Sequence, residues 1–349
     1  MTQSWKGEFI TLILVSYLIV SIHSAPLSAY LVSSFTPPDP DPNLPFNHIA
    51  FNNITGDIYI GARERLYQLD SDLNLKETVD TGECSHPNKD HVNDNKLLIS
   101  LVTPQNYRLI ACGGCDGDCQ TSSLDNITLD QKSVSTTNKV VSTGDRPTVG
   151  AIVLGADNEN TGEGKIDGDY FLFNGISGGA PRDTYFISKR RLIDHVSLQE
   201  VPGIAVVLPS EKNNLVFQHL ISYKDYLYYF ISRGEITYLG RLCRNTLDDN
   251  FESYTEIELQ CTRGGSQNII QSAYIGPAGS QLAESMNVNT TDDLLYAVFS
   301  STSSSSLCVY KMIDVQQSFD DAILKCINGT GNKNSFLVGS MCNTHECIE

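Results

Sequence analysis

The 349-residue sequence predicts an all-β chain built as a β-propeller. Three observations carry this. Apolar, β-branched and aromatic runs recur in pairs around turn-forming residues, which is the signature of antiparallel hairpins. Anchored on Tyr59, Tyr107, Tyr170, Tyr228 and Tyr296, the pairs recur at intervals of 48, 63, 58 and 68 residues. Helical periodicity is scarce. The intervals suit one four-stranded blade per repeat, a little longer than the roughly 40 to 50 residues of compact propeller repeats. A β-sandwich also has short strands and turns, but sandwiches of this length are unusual, whereas radial repetition accounts for the length directly.

The elements follow in chain order. Lys6 precedes the apolar run Phe9 to Val20, and the small residues of SIHSA come next, as in a secretory leader over residues 1–24. The apolar run is too short for the roughly 20 residues that span a bilayer. Residues 25–46 form a proline-rich lead-in, whose TPPDPDPNLPF stretch should be extended. Residues 47–349 hold the repeats, and no later segment is long and apolar enough to cross a membrane, so any anchor is expected beyond Glu349.

The five hairpins are expected in DIYIGARERLYQLD, YRLIACGGCDGDCQTSSL, DYFLFNGISGGAPRDTYFISKRRL, DYLYYFISRGEITYLGRLCR and DLLYAVFSSTSSSSLCVYKM. Remaining blade strands are expected in Lys96 to Val102, Thr148 to Gly155, Gly203 to Pro209 and Ile269 to Gly276. The best helix candidate is Ser318 to Cys326, with Ser318 as N-cap ahead of two acids. The segment Asp157 to Asp169 is acidic and glycine-rich, but Gly168 stands where a calcium loop needs its closing Glu, so a solvated loop is expected. The serine run Ser300 to Ser306 reads as a hairpin tip.

All ten cysteines follow the leader: Cys84, Cys112, Cys115, Cys119, Cys243, Cys261, Cys308, Cys326, Cys342 and Cys347. An even number in an exported chain argues for five disulfides. Cys112 and Cys115 lack the second close pair that a zinc site needs. Four Asn-x-Ser/Thr triplets, at Asn53, Asn126, Asn289 and Asn328, are candidate glycosylation sites. The net charge of −17 makes DNA, RNA and other polyanions poor partners, because affinity for them rests on Lys and Arg.

Nothing in the sequence marks catalysis or a bound cofactor. His48, His86, His91, His195 and His219 are the candidate bases, yet none sits in a nucleophile or metal motif, and no Gly-x-Ser-x-Gly, His-Glu-x-x-His or phosphate loop occurs. WD repeats and sialidase propellers use recurrent tryptophans, whereas Trp5, within the leader, is the single tryptophan here.

Three passages resemble one family. HIAFNNITGDIYIGARERLYQLDSDLNLKETVDTGEC (His48 to Cys84) is similar to the opening blade of plexin sema domains, and DNKLLISLVTPQNYRLIACGGCDGDCQ (Asp94 to Gln120) to the segment that follows it. GRLCRNTLDDNFESYTEIELQC (Gly240 to Cys261) looks like the plexin run from Arg-x-Cys to a Ser-Tyr-x-Glu strand ending on cysteine. Semaphorins share the propeller but usually carry tryptophan where this chain has Ser253-Tyr254-Thr255-Glu256, so the resemblance favours plexins.

The resemblance implies Cys243 with Cys347, Cys261 with Cys308, Cys326 with Cys342, and Cys112 with Cys119. Plexins usually place two cysteines near each other where only Cys84 stands here, and Cys115 is an addition; Cys84 is expected to pair with Cys115. The resemblance also implies a non-enzymatic, extracellular receptor region that docks a semaphorin sema domain in axon guidance or cell migration. A co-receptor or homo-oligomer fits that role. Middle-blade loops such as Ser177 to Asp183 are where contacts are expected. Alternatives are a secreted semaphorin-like ligand or decoy, or a homophilic adhesion module. Sema propellers have about seven blades and this chain supplies about five, so a sema domain incomplete at its C-terminus is expected.

Overall fold

The structure is a computed structural model and describes residues 33–38, 45–82, 93–102, 107–113, 117–134, 139–142, 146–154, 170–177, 186–193, 197–200, 215–244, 251, 253–261, 269–301 and 304–331. These residues form five antiparallel sheets, each a simple up-and-down meander. The first contains β1 (Phe46–Phe51), β2 (Ile58–Ala62), β3 (Arg65–Leu69) and β4 (Leu75–Asp80), and the second β5 (Leu97–Val102), β6 (Tyr107–Cys112), β7 (Cys119–Ser123) and β8 (Lys132–Val134). The third contains β9 (Thr148–Leu154), β10 (Tyr170–Ile176), β11 (Ile187–Ile193) and β12 (Ser197–Glu200). The fourth contains β13 (Leu215–Tyr223), β14 (Tyr226–Arg233), β15 (Ile236–Cys243) and β16 (Thr255–Glu258), and the fifth β17 (Ile269–Pro277), β18 (Asp293–Ser300) and β19 (Ser305–Lys311).

The apolar core is a series of layers between sheets. Val149, Phe171, Phe173 and Ile187 of the third sheet interlock with Leu215, Phe217, Tyr229 and Tyr254 of the fourth. Tyr228, Phe230 and Leu239 of the fourth meet Ile270, Leu295 and Phe299 of the fifth. Equivalent layers join the second sheet to the third and the first to the second. This explains β14, which is buried on both faces: Tyr229 and Ile231 point into one layer, Tyr228 and Phe230 into the next. A strand covered on both sides reads as a continuous apolar run. The first strands β1, β5, β9, β13 and β17 pack successively side by side. The sheets are therefore the blades of a β-propeller.

Each expected hairpin forms the second and third strands of a blade, and each anchoring tyrosine lies in a second strand. Three expected first strands are β5, β9 and β17, while Gly203 to Pro209 lies outside the described residues. The first strand of the fourth blade is instead β13, whose polar Gln218 and His219 straddle a bulge and obscure the alternation.

Two helices depart from the sequence reading. The first, α1 (Ser280–Met286), was not expected; Ala283 packs with Ala278 and Leu294 on the outward face of the last blade. The second, α2 (Met312–Ile327), starts six residues before Ser318. The reason is its buried stripe, Met312, Val315, Phe319 and Cys326, whose first two members precede the segment expected to be helical. Ser318 is not a cap: its hydroxyl donates to the Asp314 carbonyl at 2.9 Å, inside the helix. The lead-in is also tied to the fold, since the Phe35 ring lies 5.9 Å from Phe46 and 5.6 Å from Tyr67 on the first blade.

Candidate recognition surface

In an up-and-down blade, the turns from first to second and from third to fourth strand emerge at one end, and those from second to third at the other. Contacts between blades show that all five blades point the same way. At one end, called lower here, the Asn52 amide donates to the Tyr107 hydroxyl, Asn126 to Glu77 at 2.8 Å, and the Tyr223 hydroxyl to Asp293 at 2.8 Å. At the upper end, Lys96 donates to the Arg146 carbonyl at 3.1 Å, the Phe217 amide to Ser177 Oγ at 2.9 Å, and the Ile270 amide to Thr237 Oγ1 at 3.0 Å. The blades thus present two faces. The upper one carries the short turns Arg63–Glu64 and Gly234–Glu235, where Arg63 also faces Asp94 at 3.6 Å.

The fourth blade explains the Ser-Tyr-Thr-Glu segment. Tyr254 is fully buried, and its ring covers Gly240 so closely that any Cβ there would collide with the hydroxyl. Gly240 is glycine for this close approach. The Tyr254 hydroxyl donates to Glu256 at 3.1 Å, and Glu256 also receives Arg233, whose guanidinium lies 3.6 Å from the Tyr238 ring centroid. Burial first, and then the Glu256 charge, hold the Tyr254 hydroxyl well above the ordinary tyrosine range. Nearby, Arg241 donates to Gln316 at 2.6 Å and to Asp320 at 3.3 Å, with its guanidinium 4.5 Å from the Tyr226 ring and 4.6 Å from that of Phe319. This ties α2 to the fourth blade.

Cys112 is bonded to Cys119, its cross-strand neighbour on β6 and β7, and is therefore no thiolate ligand. Cys261, just after β16, is bonded to Cys308 on β19, which links the fourth and fifth blades. Cys243 and Cys326 are also disulfide-bonded. Cys84, Cys115, Cys342 and Cys347 lie outside the described residues, as do His86, His91, His195, the Asp157 to Asp169 loop and most of Ser177 to Asp183.

Asn53 and Asn289 are exposed in turns between first and second strands, and Asn126 is half-buried in the turn between β7 and β8. Asn328 is the exposed C-cap of α2. The two described histidines make local contacts: His48 Nδ1 lies 3.4 Å from the Asn47 side chain, and His219 is bonded to the Ala273 backbone. Burial lowers both pKa values, aided at His48 by Lys96. A cleft between β16, β19 and α2 is lined by Glu258, Tyr310, Lys311 and Asp314. Among the described residues, no cluster of His, Cys, Asp and Glu could hold a metal ion, and no helix is long and apolar enough to cross a membrane.

The Sema domain family matches residues 270–346. Plexin-A4 of Danio rerio is 26% identical over 346 residues, covering 82% of this chain and 18% of that protein. The chain is similar to the sema-domain portion of plexins over this span. It spans about a fifth of the length of the plexin relatives it matches. Among solved structures, the Plexin A4 full extracellular region, domains 1 to 8, superposes with a TM-score of 0.64 at 23% identity, covering 80% of this chain and 35% of that one. Drosophila Semaphorin 2a superposes at 0.53 and 15% identity, covering 80% and 49%. At these identities the superpositions establish the propeller fold and nothing finer.

Proposed function

We propose that this chain is the ligand-binding sema propeller of a plexin-like cell-surface receptor for semaphorins, acting outside the cell in axon guidance or cell migration. The observation that carries the reading is the match to plexins along 82% of the chain. A rigid scaffold with turns gathered on two faces is suited to protein recognition. In this reading residues 1–24 are a secretory leader, residues 25–46 a lead-in and residues 47–349 sema sequence. Cys243 pairs with Cys347, Cys326 with Cys342 and Cys84 with Cys115, and the protein works as a binding module with no catalytic residue and no cofactor. The test is surface plasmon resonance of the purified, correctly bridged protein against a panel of semaphorin ectodomains. Saturable binding to at least one is expected. A panel without a binder would overturn the proposal in favour of an adhesive or semaphorin-like ligand role.

A further inference from the structure

Two Asn-Gly dipeptides occur in the chain, Asn174-Gly175 and Asn328-Gly329. Such a pair has its own chemistry because glycine lacks a Cβ, so its backbone nitrogen can swing onto the side-chain carbonyl carbon of the preceding asparagine and attack it. The fold treats the two pairs in opposite ways. Asn174 is fully buried on β10, where its Nδ2 donates to the Val140 carbonyl at 2.6 Å and its Oδ1 accepts from the Ser188 hydroxyl. Gly175 stands between Val149 and Ile187 of the neighbouring strands, which fixes its nitrogen in the sheet. Asn328 and Gly329 are both exposed at the end of α2. The Asn328 side chain has no hydrogen-bond partner among the described residues, and Gly329, at a φ of +67°, has open space where a Cβ would lie. The attacking nitrogen is held back by its bond to the Cys326 carbonyl, at 3.0 Å. That bond belongs to the last turn of a helix, the part that frays first.

Asn328 also opens the triplet Asn328-Gly329-Thr330, so one side-chain nitrogen is open to two reactions. We propose that Asn328 is a site of spontaneous deamidation, and that N-glycosylation of the same nitrogen is what prevents it. In the bare chain the Gly329 nitrogen forms a bond to Asn328 Cγ and gives up its proton, and the side-chain nitrogen leaves as ammonia. Water then opens the cyclic imide at either carbonyl, giving aspartate or isoaspartate. In the glycosylated chain the leaving nitrogen carries the sugar, whose bulk screens Cγ from attack. Either product weakens the helix end. Both place a carboxylate at the C-terminus of α2, where the helix dipole disfavours negative charge. Isoaspartate also inserts a methylene into the backbone, which displaces Thr330 from the Lys325 carbonyl that accepts its amide at 2.9 Å and its hydroxyl at 3.1 Å. Cys326, buried and disulfide-bonded, lies in this turn, so the change loosens the helix beside a covalent tie. The receptor reading above enters only through export into the compartment where sugar is added.

The test is a peptide map of the full chain, expressed in mammalian cells, held at neutral pH and body temperature and sampled over weeks. An endoglycosidase that leaves the first sugar on asparagine separates occupied from bare Asn328 by mass. Bare Asn328 is expected to convert at least about tenfold faster than Asn174, because a fraying helix end opens far more often than a strand in the core. Isoaspartate, read with isoaspartyl methyltransferase, should accompany the change, and occupied Asn328 should stay an amide. Hydrogen exchange at Gly329 and Thr330 should quicken as conversion proceeds, and an Asn328→Asp chain should exchange quickly from the start. Asn328→Gln, which lacks the triplet and cannot close the same ring, should not age. If every chain carries sugar at Asn328, Thr330→Val supplies the bare asparagine. Bare Asn328 as durable as Asn174, occupied Asn328 converting as fast as bare, or unchanged exchange in converted protein overturns the proposal. So does sugar at Asn53, Asn126 or Asn289 with none at Asn328. A chain that keeps its leader and carries no sugar strikes the export on which the receptor reading depends, and the glycan's role with it, while the ageing of bare Asn328 is still decided by the same map.

Discussion

The Arg233 guanidinium and the Glu256 carboxylate meet at 3.0 Å with side chains only 8% and 3% exposed. They come from β14 and β16, so the pair reaches across the intervening strand β15 of the fourth blade. The Tyr254 hydroxyl on the carboxylate and the Tyr238 ring under the guanidinium complete the shell. Removing one partner of such a pair leaves a charge in the core, which costs about 3–5 kcal/mol. Glu256→Ala should lose that much in denaturant unfolding. Glu256→Gln, which keeps hydrogen-bonding capacity, should lose less.

The two described disulfides should differ in weight. Cys261 and Cys308 are 47 residues apart and link two blades, whereas Cys112 and Cys119 are 7 apart within one hairpin. Chain-entropy reasoning assigns about 4 kcal/mol to the longer loop and about 2 kcal/mol to the shorter. Paired Cys→Ser replacements, compared by thermal unfolding, should rank in that order. Equal losses would show that native-state effects outweigh loop closure.

Tyr228 and Tyr229 are adjacent, both buried, and face opposite blade layers. The Tyr228 hydroxyl accepts from Gln316 of α2, while the Tyr229 hydroxyl has no partner among the described residues. Tyr228→Phe should cost about 1 kcal/mol, and Tyr229→Phe should be neutral or stabilising by about 1 kcal/mol, since it removes a polar group buried without compensation. Unfolding midpoints of the two variants check the opposite signs.

Alkaline stability follows from the tyrosines. Burial raises Tyr310 to about 12, and burial with the Asp293 hydrogen bond and charge raises Tyr223 to about 12, from an ordinary value of 10.0. Tyr59, Tyr228, Tyr229 and Tyr254 are raised further, again with burial as the largest cause. Above pH 10 the unfolded chain loses these phenolic protons while the folded chain retains them, so stability is complete below that value and falls as pH rises from about 10 toward 12. Melting temperatures measured from pH 8 upward should be governed by this decline, and tyrosinate absorbance should rise together with unfolding.

The blade hairpins were legible because their strands alternate or run apolar over enough residues to stand out from the turns. β13 was not, since the bulge at Phe217 and His219 breaks the period of two. α2 was found only in its second half: its start at Met312 depends on Met312 and Val315 packing against the fourth and fifth blades, which local propensity does not encode. For Gly240, sequence reading had the right neighbourhood in Ser253 to Glu256, but the close approach of Tyr254 joins residues from different strands. No signal of spacing marked it.

By itself, the sequence determined the all-β repeat and its similarity to plexin sema domains, because hairpin period and short motifs are local in the chain. Only the tertiary structure decided which charges are buried together, which tyrosine hydroxyl lacks a partner among the described residues, and that Asn53, Asn126 and Asn289 share one face. The physical reason is strand polarity: antiparallel turns alternate between two ends, and the contacts between blades alone align those ends around the propeller.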